Sequence, residues 1–348
     1  MSLSKTFPFL FLTLLFYPLQ KSNACTRFVY CGKDHLVFTA RSMDWFEDVH
    51  SDLWFYPRGM KKDGGVGKGS IHWISKYASV TVSGYDIGTV DGLNEKGLVA
   101  NLLYLSETDF GNSGDKPGLS VGAWAQFVLD NYATVDEAIE NLKTEPFRII
   151  ASTLPSGHAP GLHLSLSDKT GNSGILEYIN GKLIIHKGKE HAVMTNSPTY
   201  DQQIALNAYW ENIGGMKMLP GTNRASDRYV RASFYSKALP EFEDNRLAVS
   251  ATFSVIRNVS VPLGITDPDQ PNIASTIWRS VSDHKNLIYF YESAISPNTF
   301  WVDLKKFDFS TTKVPKKIDL DGHPILTGEV SDKFVEAKPF KWLAPGKN

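Results

Sequence analysis

The 348-residue chain is 42% hydrophobic and 21% charged, globular proportions that argue against disorder and supply one large core or two smaller ones. Its 36 Lys and Arg residues balance 37 Asp and Glu, and a formal net charge of -1 offers no broad field for a polyanion. Nucleic acid is therefore not an expected partner. At the N-terminus, Lys5 precedes an apolar run from Phe7 to Leu19, and Lys21-Ser22-Asn23-Ala24 follows. This has the form of a secretory signal, with Ser22 and Ala24 at the -3 and -1 positions of a cut before Cys25. The run is shorter than the roughly 20 residues that span a bilayer, and Pro8 and Pro18 interrupt it. Residues 1–24 are expected to be removed, leaving 25–348 as a single periplasmic or secreted domain with no stable membrane insertion.

After the signal, Thr26–Cys31 and Leu36–Arg41 read as strands around the turn Gly32-Lys33-Asp34, because β-branched and aromatic residues dominate them. Ala78–Gly84 and Leu98–Leu105 continue the strand pattern, Ser120–Tyr132 reads as a helix, and Thr134-Val135-Asp136-Glu137 has capping-box spacing before another. Leu162–Ser167, Ile175–Ile179 and Lys182–His186 form a second strand-rich block, with Asn180-Gly181 as a hairpin turn. Asp227–Leu239 reads as a helix, and Leu287–Tyr291 and Thr299–Asp303 as late strands. Strands come in runs with helices between the runs, and no βαβ alternation appears, so an α+β layered fold with antiparallel sheets is expected. Gly64–Gly69 is expected to be an exposed connection.

Cys25 and Cys31 are the two cysteines, six residues apart in one apparent strand. At about 3.3 Å per residue their Cα atoms are roughly 20 Å apart, too far for a disulfide. Cleavage before Cys25 would give one residue both a thiol and a free α-amine, whose reference pKa of about 7.7–8.0 suits it to take the thiol proton. A lipoprotein signal is the competing reading, in which the cysteine is acylated and only anchors a binding protein, but that signal wants a large aliphatic residue where Ser22 stands. The nine histidines are scattered without helical zinc spacing. Gly67-Lys68 lacks the first glycine and the Ser/Thr of a phosphate loop. Neither a metal nor another cofactor is implied.

Further segments break the tie over Cys25. Cys25-Thr26-Arg27-Phe28, Ala40-Arg41-Ser42-Met43-Asp44-Trp45, Asp91-Gly92-Leu93-Asn94-Glu95-Lys96-Gly97-Leu98, Thr195-Asn196-Ser197-Pro198-Thr199-Tyr200-Asp201 and Asp227-Arg228-Tyr229-Val230-Arg231 follow one another in the order and spacing of a known family. The chain from Cys25 to about Asp303 resembles the choloylglycine hydrolase and penicillin V acylase family, in its Gram-negative penicillin V acylase-like branch. The resemblance implies the αββα sandwich of N-terminal-nucleophile hydrolases, hydrolysis of a small N-acyl amide, and a homotetramer. It implies Cys25 as nucleophile, Asp44 as acceptor for the Cys25 α-amine, and Arg41 beside the sulfur. Asn196 would donate to the oxyanion, and Arg228 would complete the charged network. Tyr104 stands where many bile-salt hydrolases have asparagine and penicillin V acylases an aromatic residue. With Trp45 it would line a pocket for a flat or apolar acyl group. Penicillin V is the substrate expected first, N-acyl-homoserine lactones second and conjugated bile salts third. Asp227 is expected to pair with Arg231 at i, i+4.

Overall fold

Strand β1 (Thr26–Cys31) and strand β2 (Val37–Trp45) form an antiparallel hairpin around residues 32–36, where Asp34 and His35 both adopt positive φ. The computed structural model describes residues 25–345 other than 113, 159, 266–273, 297 and 311–312, so the expected signal segment lies outside the described residues. All nine residues of β2 are buried, and β2 runs four residues past the expected end at Arg41. Ser-Met-Asp reads as a strand breaker only if its polar groups lack partners; here Ser42 accepts from Thr26 N, and Asp44 accepts from Thr276 and Ser42.

The hairpin sits in a seven-stranded sheet in the order Val193–Met194, β1, β2, Ser275–Asp283, Ile288–Ser293, Thr299–Asp303, Gly328–Glu329. A second sheet of nine strands contains the central run Ser173–Ile179, Leu162–Ser167, Val99–Tyr104, Gly88–Asn94, Ser79–Gly84, Leu53–Tyr56. Every pairing in these two sheets is antiparallel except the last one in the first sheet.

Helices α1 (Trp124–Asn131) and α2 (Val135–Leu142) cover the outer face of the nine-stranded sheet. A Cβ on Gly92 would lie 2.8 Å from Leu129, so the absence of a side chain lets α1 rest directly on its strand. The outer face of the other sheet carries α4 (Ala225–Ala238) and α5 (Asn245–Asn258), with α3 (Tyr200–Ile213) packed on α4. The result is the αββα sandwich, with one core cluster between the sheets and under α4 and α5, and a second between the nine-stranded sheet and α1 and α2.

The expected strands and helices are present with ends shifted by a few residues. Thr134 caps α2 by accepting from Glu137 N, but Glu137 returns the bond to Ala133 N, one residue before the cap. Asn180 and Gly181 both have positive φ, as a tight hairpin turn requires. The Gly64–Gly69 connection is exposed only at its tip: Gly64 is buried, and a Cβ there would meet the Gly118 carbonyl at 2.2 Å. Elements not foreseen include the strand Leu53–Tyr56, the strand Gly88–Asn94, helices α3 and α5, and the strand Ser275–Asp283. That strand reads as polar (STIWRSVSD), yet it pairs with β2 and is buried over its last four residues.

Candidate active site

Register and alternation sort the site residues onto two faces of the hairpin. Arg27 lies opposite Arg41 and Thr26 opposite Ser42. Successive side chains alternate between faces, so Cys25, Arg41, Met43 and Trp45 face the gap between the sheets, while Thr26, Ser42 and Asp44 face the layer holding α4. Contacts agree with this division. Arg41 reaches the carbonyls of Val90 and Leu102 in the opposite sheet, and Thr26 and Asp44 both meet Arg228 from α4. The Cys25 sulfur is 3.8 Å from Met43 Sδ and 3.8 Å from the Asp44 carbonyl. Arg41 Nη2 approaches the same Met43 sulfur at 3.6 Å, which places its charge beside the thiol as expected. Both cysteines are free, Cys25 buried and Cys31 exposed.

Below the thiol, Arg228 is completely buried. It donates through Nη1 to the Cys25 carbonyl at 2.8 Å, to Thr26 Oγ1 and to Asp44 Oδ2, through Nη2 to Asn196 Oδ1 at 3.2 Å, and through Nε to the Asn223 carbonyl at 3.0 Å. Burial pushes the Asp44 carboxyl up to about 6, against the pull of Arg228 and the hydroxyls of Thr276 and Ser42. Burial also pushes the Cys25 thiol above its usual value, with Arg41 pulling the other way and Asp44 adding to the rise. The nearby arginines are not enough to ionise this thiol, so a base is needed to make it a nucleophile.

Asn196 comes off the sheet edge two residues after the strand Val193–Met194 and reaches across the start of β1. Its Oδ1 accepts from Cys25 N and Arg228 Nη2, and its Nδ2 donates to the Tyr104 carbonyl at 2.6 Å. The Cys25 peptide nitrogen is directed to Asn196, while the oxygens of Asp44 are taken by Thr276, Ser42 and Arg228. In the uncut chain that nitrogen is a peptide N–H with one proton, which one acceptor satisfies. The second Nδ2 hydrogen of Asn196 remains as a neutral donor. Tyr104 lies beside it: Leu103 and Leu105 face the neighbouring strand, with Leu103 opposite His163 and Leu105 N bonded to the Gly161 carbonyl. Alternation therefore turns the N–H and C=O of Tyr104 toward Asn196.

Above the sulfur lies a cleft with a mainly apolar wall. Trp45 and Tyr104 both line it, with ring centroids 5.7 Å apart and nearly edge to face. Trp45 Nε1 donates to the Tyr85 hydroxyl at 2.9 Å, and that hydroxyl donates to Glu47 at 2.6 Å. Val49, Ile87, Val90 and Leu154 extend the wall.

The structure thus brings Cys25, Arg41, Asp44, Asn196, Arg228, Trp45 and Tyr104 together at one place. It adds residues that the sequence reading passed over. Met43 touches the thiol, Thr276 holds Asp44, and Tyr85 anchors Trp45. Asp91 sits in the Gly88–Asn94 strand, 3.9 Å from Arg41, and accepts from Asn101 at 2.9 Å and Ser280 at 2.6 Å. Its signal was its place in the Asp91–Leu98 segment; Thr276 had none, because its strand was not recognised. Asp227 does not form the expected pair with Arg231. It accepts from the backbone and hydroxyl of Thr222, while Arg231 donates to the Pro220 and Thr222 carbonyls.

Residues 25–317 match the choloylglycine hydrolase family of linear amide C–N hydrolases. Among characterised proteins, the chain is 50% identical over 347 residues to penicillin V acylase of Pectobacterium atrosepticum, covering 92% of each chain. It is 23% identical over 248 residues to bile salt hydrolase/transferase of Lactiplantibacillus plantarum, covering 64% of this chain and 75% of that one. The structure of penicillin V acylase from Agrobacterium tumefaciens superposes with a TM-score of 0.86 at 55% identity, covering 92% of this chain and 100% of that chain. A conjugated bile acid hydrolase from Clostridium perfringens shares the fold with a TM-score of 0.72 at 23% identity, over 84% of this chain and 96% of that one. The chain belongs to the choloylglycine hydrolase family and is a hydrolase of carbon–nitrogen bonds in linear amides.

Proposed function

We propose that the protein is an exported penicillin V acylase that matures by losing residues 1–24 and uses Cys25 as an N-terminal nucleophile. The observation that carries this reading is the position of Cys25 in the lining of an apolar, aromatic-walled cleft, with its nitrogen bonded to the amide oxygen of Asn196. The family match beginning at residue 25 supports the same cut. Release of the α-amine supplies the base that the buried thiol lacks. The amine takes the thiol proton, Sγ adds to the substrate carbonyl, and Asn196 Nδ2 and the Tyr104 N–H hold the oxyanion. The α-ammonium then protonates the departing amine, leaving a thioester that water cleaves to release the acid and the free thiol. Asp44 and Arg228 fix the Cys25 backbone and the local charge, and Arg41 moderates the thiol.

Trp45 and Tyr104 favour an aryl-containing acyl group such as phenoxyacetyl. The aliphatic part of the wall favours a second substrate class, N-acyl-homoserine lactones, over the bulkier conjugated bile salts. A homotetramer is the assembly proposed with this reading. Intact mass of the exported protein, with phenoxyacetate release from penicillin V by wild-type and Cys25→Ala, tests the proposal. A chain starting at a free Cys25 with turnover lost in Cys25→Ala is expected. A diacylglycerol-modified Cys25 would replace the enzyme with a lipid-anchored protein, and full turnover in Cys25→Ala would end the nucleophile assignment.

A further inference from the structure

Gln203 is fully buried on α3, and its whole amide is directed at the loop that carries Asn196. Nε2 donates to the backbone carbonyls of Asn196 and, at 2.6 Å, Pro198, while Oε1 lies 2.7 Å from the Thr195 hydroxyl. Two carbonyl partners settle which end of the amide is the donor. The same Thr195 hydroxyl is 3.0 Å from the Ala225 carbonyl, at the start of the helix that supplies Arg228. One side chain therefore ties down the residue before Asn196, Asn196 itself and a residue after it, and links them to the Arg228 helix. A second strut runs from the other sheet, where Glu177 accepts from Tyr200 N at 3.0 Å.

Packing alone does not call for glutamine at this position. Among the fourteen residues of α3 only Tyr200 and Gln203 are buried, so the helix adds little to the core. An apolar side chain of equal length would fill the same space, but it would leave the Asn196 and Pro198 carbonyls without this donor. What the glutamine supplies is a fixed path for the loop. A neutral oxyanion donor works only when held to within a fraction of an ångström of its working position.

We propose that Gln203 is the positioning residue for Asn196: it fixes the backbone from which the oxyanion donor projects and touches no reacting atom itself. This rests on the assignment of Asn196 as oxyanion donor. The test compares wild-type, Gln203→Met and Gln203→Glu for penicillin V turnover, and for the rate at which iodoacetamide alkylates Cys25, a reaction that forms no oxyanion. Gln203→Met should lower kcat on the order of 10- to 100-fold, with KM and the alkylation rate within about twofold of wild-type. An undiminished kcat, or KM and alkylation failing together with kcat, would overturn the proposal. Should Gln203→Met not fold, Gln203→Glu decides: its protonated acid can donate to a carbonyl where its carboxylate cannot. Burial beside two carbonyls would raise its carboxyl above the usual value, so its kcat relative to wild-type should rise as pH is lowered, and a ratio flat at every pH where the variant stays folded would overturn the assignment. Absence of wild-type turnover would remove the acylase reading and this proposal with it, whereas wild-type turnover with unimpaired Gln203 variants removes this proposal alone.

Discussion

Two buried polar clusters flank the same strand, and burial acts on them in opposite ways. At one end of β2, Asp44, Arg228, Asn196 and Cys25 form a charged cluster at the base of the cleft. Further back, Thr39 of β2 meets His284 Nε2 and Ser167 Oγ, both at 2.7 Å, and His284 Nδ1 donates to the Gly97 carbonyl at 2.7 Å. In the second cluster burial pushes His284 down to about 4, so the ring stays neutral and each nitrogen has a partner. In the first, Asp44 is pushed up to about 6 and still faces a buried arginine. A neutral, satisfied network is what stability favours. A desolvated carboxylate beside a buried thiol and guanidinium is retained against that tendency, and such departures concentrate where chemistry is done.

The largest effects expected are on turnover, and they should be confined to the charged cluster. Asn196→Ala should lower kcat for penicillin V about 10²- to 10³-fold, while His284→Asn should leave kcat within about threefold of wild-type. Comparable losses in both variants would erase the contrast. In wild-type, kcat/KM should fall as pH drops through about 6, where Asp44 takes up a proton. In Asp44→Asn the residual activity should lack that inflection. Persistence of the limb at the same pH in Asp44→Asn would assign it to another group.

Stability should show the same contrast with opposite signs. His284 has a folded value of about 4, below its unfolded value of about 6.5. Its contribution is present above pH about 6.5 and is lost as pH falls toward 4, by about 3 kcal/mol. Asp44 is raised from an unfolded value of about 3.9 to about 6, so its contribution is present below pH about 4 and is lost as pH rises through 6, by a similar amount. The two oppose each other across pH 4–6. Urea unfolding at several pH values in that window should show a steeper acid loss for Asp44→Asn and a shallower one for His284→Asn, and equal slopes would sink the comparison. The smallest expected effect is at the cleft wall: Trp45→Ala should raise KM for penicillin V about tenfold with little change in iodoacetamide alkylation of Cys25.

Much of this was legible in the chain. The proposed nucleophile was readable because a signal-type segment precedes Cys25, and a cut there would leave a thiol and an amine on one residue. Arg41, Asp44, Asn196 and Arg228 stood in recognisable segments, and local composition placed nine of the twenty described strands and the helices bearing Trp124 and Arg228 to within a few residues. What failed locally were elements whose polarity is resolved by distant partners. The strand Ser275–Asp283 and the far end of β2 read as polar because Ser42, Asp44 and Thr276 satisfy one another across strands. Helix α3 went unrecognised because only two of its residues face inward.

The sequence by itself determined the chemistry available and an α+β layering with antiparallel sheets, since these follow from residue type and hydrophobic period, and its resemblance to the choloylglycine hydrolase family implied the αββα order and which side chains would gather at the site. Only the tertiary structure decided how the gathered groups are oriented. The Cys25 nitrogen points to Asn196, Asp44 lies beneath the sheet with Arg228, Asp227 turns to Thr222, and Gln203 holds the Asn196 loop. Each of these is a hydrogen bond between residues far apart in the chain or on adjoining turns, and its geometry exists only once both sheets and α4 are in place.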